Sequence, residues 1–86
     1  MPELCRFYGI VINIHFREHG PPHFHATYGE HRALIDIDAL FILQGRLPPR
    51  ARGLVIEWAS LHQDELREAW NRAQRMEPPG KIEPLQ

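Results

Sequence analysis

Four of the six histidines lie close together in the sequence, and imidazole rings in that number can bind a metal ion or transfer protons. They are His15, His19, His23 and His25. Gly20 gives the backbone freedom to turn, and Pro21 and Pro22 each fix φ and favour an extended conformation in the residue before them. We therefore predict a rigid turn that leads into a strand at His23. Because side chains alternate along a strand, His23 and His25 share one face.

One chemistry for this cluster is metal binding. Imidazole nitrogens, alone or with a carboxylate, are the ligands of many zinc and non-haem iron sites. If His15 lies on the strand beside His23 and His25, the three rings meet on one face of a sheet. The sequence therefore predicts a divalent metal, Zn²⁺ or similar, as a candidate cofactor held by these three histidines.

A second chemistry is acid–base catalysis without a metal. An unperturbed histidine titrates close to neutral pH, so one ring can accept a proton while another returns it. The candidate catalytic residues are His23, Asp36 and His15, with Asp36 accepting a hydrogen bond from His23. Arg17 and Arg32 are the candidate contacts for an anionic substrate such as the phosphate of RNA. We expect these side chains on the open face, where they contribute little to stability.

A third interpretation involves neither chemistry, since histidines are ordinary on the polar face of a small sheet. His31 and His62 are predicted to be structural, because both fall on the apolar face of their elements. The arginines of the segment 46–52 are predicted to be a solvated surface.

The elements that must position these residues follow from hydrophobic periodicity. Alternating apolar residues and turn signals predict strands over about 6–16, 23–28, 31–37 and 40–44, a helix over about 49–76 and an extended tail over 77–86. The fold class is α+β, a single domain over 1–86 in which a long C-terminal helix covers one face of an antiparallel three- to four-stranded meander. Ser60 and Asp64 are good helix-starting residues, so both one continuous helix and two shorter ones remain open.

A two-residue loop at Gly29 and Glu30 sets the register of the central hairpin. This register places His23 directly opposite Asp36. Apolar faces must lie on the same side of the sheet, so His15 is expected opposite His23 or His25. The three histidines and Asp36 would then form one polar cluster.

The composition of the chain argues against some classes of protein. The formal net charge is −1, without the basic excess that sequence-independent nucleic-acid binding requires. The only cysteine, Cys5, has no partner for an internal disulfide, which favours a reducing, cytoplasmic setting. No apolar run is long enough for export or for a membrane span, so no membrane partner is expected.

Several motifs along the chain belong to one pattern. They are Arg6-Phe7-Tyr8-Gly9-Ile10, Pro21-Pro22-His23-Phe24-His25-Ala26, Ile35-Asp36-Ile37, Glu57-Trp58-Ala59 with His62, and Lys81-Ile82-Glu83-Pro84-Leu85. With them the chain resembles, over nearly its full length, the small bacterial domain-of-unknown-function family numbered 4160. The resemblance implies no established activity and no catalytic residue. It implies a place in two-gene bacterial modules of toxin–antitoxin type.

Two functions follow from these observations. The first is an interaction module, one component of a toxin–antitoxin-type pair, that binds a small protein partner encoded nearby. The alternative is a histidine-dependent ribonuclease or a metal-dependent hydrolase that uses the histidine cluster. RNA and a second copy of the chain are the other partners considered, and whether the chain is an enzyme stays open at this point.

Overall fold

The computed structural model describes residues 2–86 as an antiparallel sheet with two helices packed on one face. The elements are β1 (Glu3–Phe7), β2 (Ile10–Asn13), β3 (His23–Tyr28), β4 (His31–Asp36), β5 (Ile42–Gly45), α1 (Pro49–Leu61) and α2 (Gln63–Gln74). Strands that follow one another in the chain are neighbours in the sheet. The α+β class is confirmed, but these residues form five strands and two helices instead of three or four strands and one long helix.

The boundaries predicted for the first strand, 6–16, are wrong, because the chain reverses at Tyr8 and Gly9 and makes two strands. Both residues have positive φ, 50° and 81°, which is the backbone conformation of a tight hairpin turn. Across this turn Phe7 pairs with Ile10, and both are buried. Next to the turn the buried positions therefore change from odd numbers, Cys5 and Phe7, to even numbers, Ile10 and Ile12, which a single alternation over 6–16 cannot describe.

The predicted register of the central hairpin is confirmed. His23 lies opposite Asp36, as the two-residue loop requires. Between β2 and β3, residues of equal parity pair as expected, with Asn13 opposite His25. However, β2 ends at Asn13, so His15 lies in the following loop and not in the ladder. The fourth predicted strand, 40–44, is displaced to Ile42–Gly45.

The core is centred on the buried indole of Trp58 in α1. Its ring meets the ring of Phe24 edge to face at 5.8 Å between centroids, and the ring of Phe7 at 5.6 Å. The indole Nε1–H donates a hydrogen bond to the backbone oxygen of Glu83 at 2.7 Å. Sheet, helix and C-terminal tail therefore share one core.

The helical region, predicted over 49–76, divides at His62. This residue has φ −131° and ψ 28°, which are not helical angles. Helix α1 therefore ends before it at Leu61, and α2 begins after it at Gln63. Its ring lies 5.5 Å from the Trp58 ring, as expected for a structural histidine.

The prediction that His31 points into the core is wrong: it is exposed, because it lies at the hairpin turn at the end of the sheet. Within residues 2–86, neither helix is long and apolar enough to cross a membrane.

Gly45 lets β5 lie close to β4. Its φ is +84°, and a Cβ added there would lie 2.2 Å from the backbone oxygen of Arg32. We expect Gly45→Ala to lower the free energy of unfolding by at least about 2 kcal/mol, because the left-handed backbone alone costs roughly 1–2 kcal/mol and the strands must also separate. Urea denaturation measures this loss. Gly29→Ala is the matched control, since Gly29 also has positive φ but nothing lies within 4 Å of its added Cβ. Equal losses in the two variants would contradict the role given to the close approach.

Candidate functional site

The loop between β2 and β3 is held against the far end of α2. The backbone N–H of Arg17 donates to the backbone oxygen of Ala73 at 3.4 Å. The side-chain amide of Gln74 donates to the backbone oxygen of Glu18 at 3.1 Å. Arg17 itself has a positive φ of 54°. These contacts position the Glu18 side chain over the histidines at the end of the sheet.

Three histidine rings surround one carboxylate oxygen of Glu18. Its Oε1 lies 2.7 Å from Nε2 of His25, 3.0 Å from Nε2 of His23 and 3.8 Å from Nδ1 of His15. The rings of His15 and His25 stack in parallel, with 3.7 Å between centroids. The structure thus brings together the three predicted histidines, although His15 lies in the loop after β2 and not on a strand. Glu18 is a fourth member that strand periodicity did not reveal.

His23 is the inner member of the cluster. Its Nδ1 lies 2.9 Å from the backbone oxygen of Pro21, and a carbonyl oxygen can only accept, so Nδ1 carries a proton. Its Nε2 faces Glu18, and that hydrogen bond needs a second proton, held on either the ring or the carboxyl group. The His23 ring lies 5.1 Å from the ring of Trp70 in α2, and the residue is only 4% exposed. The prediction that His23 lies on the solvent-open face is therefore wrong, because the loop and α2 cover it.

Asp36 has a different set of contacts from the one predicted. Its Oδ1 accepts hydrogen bonds from the backbone N–H groups of Asp38 at 2.8 Å and Ala39 at 2.7 Å. Both ring nitrogens of His23 are engaged by Pro21 and Glu18, so the predicted hydrogen bond between His23 and Asp36 is absent. Asp36 is buried and stabilises the turn between β4 and β5.

The other candidates surround the cluster without joining it. Arg17 and Arg32 are exposed, and neither forms a salt bridge with another residue of the described chain, 2–86. Arg32 lies opposite Thr27 on the face of β3 that carries His25. His19 is exposed in the loop. The cluster therefore consists of His15, Glu18, His23 and His25.

The electrostatics of the cluster favour an ionised carboxylate at Glu18 and a neutral imidazole at His15. Partial burial raises the pKa of Glu18, but the hydrogen bond from His25 and the charges of the three histidines outweigh it, so the pKa lies below the usual value. Partial burial lowers the pKa of His15, and the neighbouring His25 lowers it further. These are the protonation states in which both side chains can act as metal ligands.

These two shifts predict how stability depends on pH in metal-free protein. In the unfolded chain a glutamate titrates near about 4.3 and a histidine near about 6.5. Both folded pKa values are lower, so the unfolded chain binds more protons and the free energy of unfolding falls as the pH falls. The contribution of His15 is lost below about pH 6.5 and that of Glu18 below about pH 4.3. Urea midpoints measured in EDTA at several pH values test this. Stability that rises on acidification through this range would contradict it.

The donor set fits a divalent transition metal. His15, Glu18 and His25 each offer one ligand atom, and these atoms all lie within 4.8 Å of one another. The side chains are 28%, 28% and 19% exposed respectively, so the group has a side open to solvent. Two imidazoles and one carboxylate are an established ligand set for zinc and non-haem iron. Compared with the predicted trio, Glu18 takes the place of His23.

Comparison with known proteins identifies a family. A family model described as "Domain of unknown function (DUF4160)" matches residues 9–71, more than half of the chain. The matched span contains the loop, all members of the histidine cluster and β2 to β5. No curated protein and no solved structure matches the chain. The chain therefore belongs to the family of domains of unknown function described as DUF4160.

Proposed function

We propose that this domain binds one divalent transition-metal ion through His15, Glu18 and His25 and uses it for hydrolysis. The observation that carries the proposal is the approach of several imidazole nitrogens to a single oxygen of Glu18. A partly buried carboxylate with imidazoles on its open side is the arrangement that a metal site needs before the ion enters. Structural zinc sites are usually filled by four protein ligands, whereas three ligands leave a position for water or substrate.

The side chains of the cluster would have different roles at the metal centre. His15, Glu18 and His25 would hold the ion, which supplies Lewis acidity and lowers the pKa of bound water. His23 would orient Glu18 from the buried side through its Nε2, while Pro21 fixes the ring through Nδ1. The burial of His23 weighs against the metal-free alternative, because a general acid or base must reach its substrate.

Metal titration of the full chain without an affinity tag tests this proposal. After EDTA treatment and its removal, calorimetry with Zn²⁺ near pH 7.5 should show about one ion per chain, and the ion should be released on acidification as protons compete for the ligands. His25→Ala should abolish this binding. His19→Ala is the matched control, because His19 lies in the same loop but outside the cluster. No zinc binding by the wild type, or equal binding by both variants, would refute the proposal.

We propose as a second candidate that the domain is a cytoplasmic interaction module that pairs with a small protein encoded nearby, as in toxin–antitoxin modules. The observation in its favour is the edge of the sheet at β5. Leu43 in this strand is exposed, and so is Phe41 just before it, at 53%. The opposite edge is occupied by the tail, since Ile82 N–H donates to the backbone oxygen of Leu4 at 3.0 Å. An unpaired edge strand with apolar side chains is a surface on which another chain can add a strand.

Coexpression with the product of the neighbouring gene tests this second candidate. The two proteins should elute together in size-exclusion chromatography, and Leu43→Lys should separate them. Leu61→Lys is the control, because Leu61 is also exposed but lies at the end of α1. Separate elution of the wild-type pair would refute the second candidate. Elution of this chain alone at twice its mass would replace it with a homodimer.

A further inference from the structure

We propose that the sheet face beside the metal centre binds the phosphoryl group of the substrate, with Arg32 as the residue that recognises it. This inference rests on the proposed metal-dependent hydrolysis and names its substrate class, a phosphate ester. It starts from the register of β3 and β4. His25 lies opposite Leu34, and Thr27 lies opposite Arg32.

The register places Arg32 within reach of the metal ligands. Side chains of directly opposed residues share a face, and Thr27 is two residues from His25, so all three side chains lie on the same face. Arg32 is the diagonal neighbour of His25, a position in which Cβ atoms are roughly 7–8 Å apart and long side chains can still meet. The side chains of Arg32 and Thr27 therefore extend from the same face of the sheet as His25, in the positions next to it.

The charges on this face favour an anion. Arg32 is exposed and has no salt-bridge partner in the part of the chain that the structure describes. Arg6, at the far end of the same row, is paired with Glu3 at 2.8 Å, so these two charges cancel. Glu18 is engaged by the histidines and would be neutralised further by a bound cation. The remaining positive charge next to a Lewis acid suits a group with several anionic oxygens.

The arrangement favours a phosphoryl group because such a group can satisfy both partners at once. One of its oxygens can approach the ion while two others accept a bidentate pair of hydrogen bonds from the guanidinium group. A neutral ester or amide has no charged oxygen for Arg32.

Phosphate binding to the zinc-loaded full chain tests the inference, with inorganic phosphate as the probe in calorimetry. The wild type should bind phosphate, and Arg32→Gln should weaken this binding by about tenfold or more while leaving zinc affinity unchanged, because a charge-assisted bidentate contact is lost. Arg50→Gln is the matched control, since Arg50 is exposed on α1 and outside this face.

The outcomes separate the two proposals. A wild-type chain that binds no zinc would refute the metal centre. A chain that binds zinc but no phosphate would leave the metal centre in place and overturn the phosphoryl site. Phosphate binding that is equal in wild type and Arg32→Gln would also overturn it, because the ion alone would then account for the binding.

Discussion

Replacing Glu18 with glutamine is expected to weaken Zn²⁺ binding by about 100-fold or more. Loss of a group that merely orients a metal ligand costs about 10- to 100-fold in affinity, so loss of a ligand should reach at least the upper end of that range. Glutamine keeps the size of the side chain and can still accept a hydrogen bond, but it removes the negative charge that offsets the charge of the ion. Calorimetric titration of the metal-free variant measures the change.

Two comparisons make this result specific to the site. Glu30→Gln removes the same charge from an exposed position in the β3–β4 turn, and it should leave zinc affinity unchanged. Circular dichroism of Glu18→Gln should show an intact fold, because Glu18 is partly exposed and its backbone oxygen still accepts from Gln74. Zinc affinity within threefold of the wild type in a folded Glu18→Gln protein would remove Glu18 from the ligand set.

Replacing Phe24 with alanine is expected to lower the free energy of unfolding by roughly 3–5 kcal/mol. The Phe24 ring is completely buried and packs edge to face against Trp58 at 5.8 Å, so alanine leaves a cavity between the sheet and α1. Domains of this kind have a total stability of about 5–15 kcal/mol, so the variant should be close to unfolding at moderate temperature. Urea or thermal denaturation measures the loss.

Phe41→Ala is the matched control, because it makes the same substitution at a side chain that is 53% exposed. It should cost less than about 1 kcal/mol, as surface changes usually do. His23→Ala should fall between the two, at about 1–3 kcal/mol, because it leaves buried hydrogen-bonding groups of the loop without a partner. Equal losses for Phe24→Ala and Phe41→Ala would contradict the position assigned to the core.

The register of the central hairpin could be predicted from the sequence because it depends on local chemistry. The two-residue loop after Tyr28 leaves only one pairing that keeps both apolar faces on the same side, and His23 accordingly faces Asp36. The first hairpin was not predicted, because Tyr8 is an unusual residue for a positive φ and the alternation of apolar residues continues through it. The break at His62 was recognised as one of two alternatives, and the non-helical backbone angles of this residue show that the chain forms two helices.

By itself, the sequence determined the α+β class, the strand that carries His23 and His25 and the presence of several histidines at one end of the sheet. Each of these follows from turn chemistry and from the alternation of side chains over a few residues. Only the tertiary structure decided that Glu18 is the centre of the cluster and that His23 is covered. The reason is that the loop carrying Glu18 is held by Gln74, 56 residues further along the chain, and His23 is covered by Trp70 of the same helix. Contacts over that separation leave no periodic pattern near Glu18, so they become visible only when α2 is packed against the sheet.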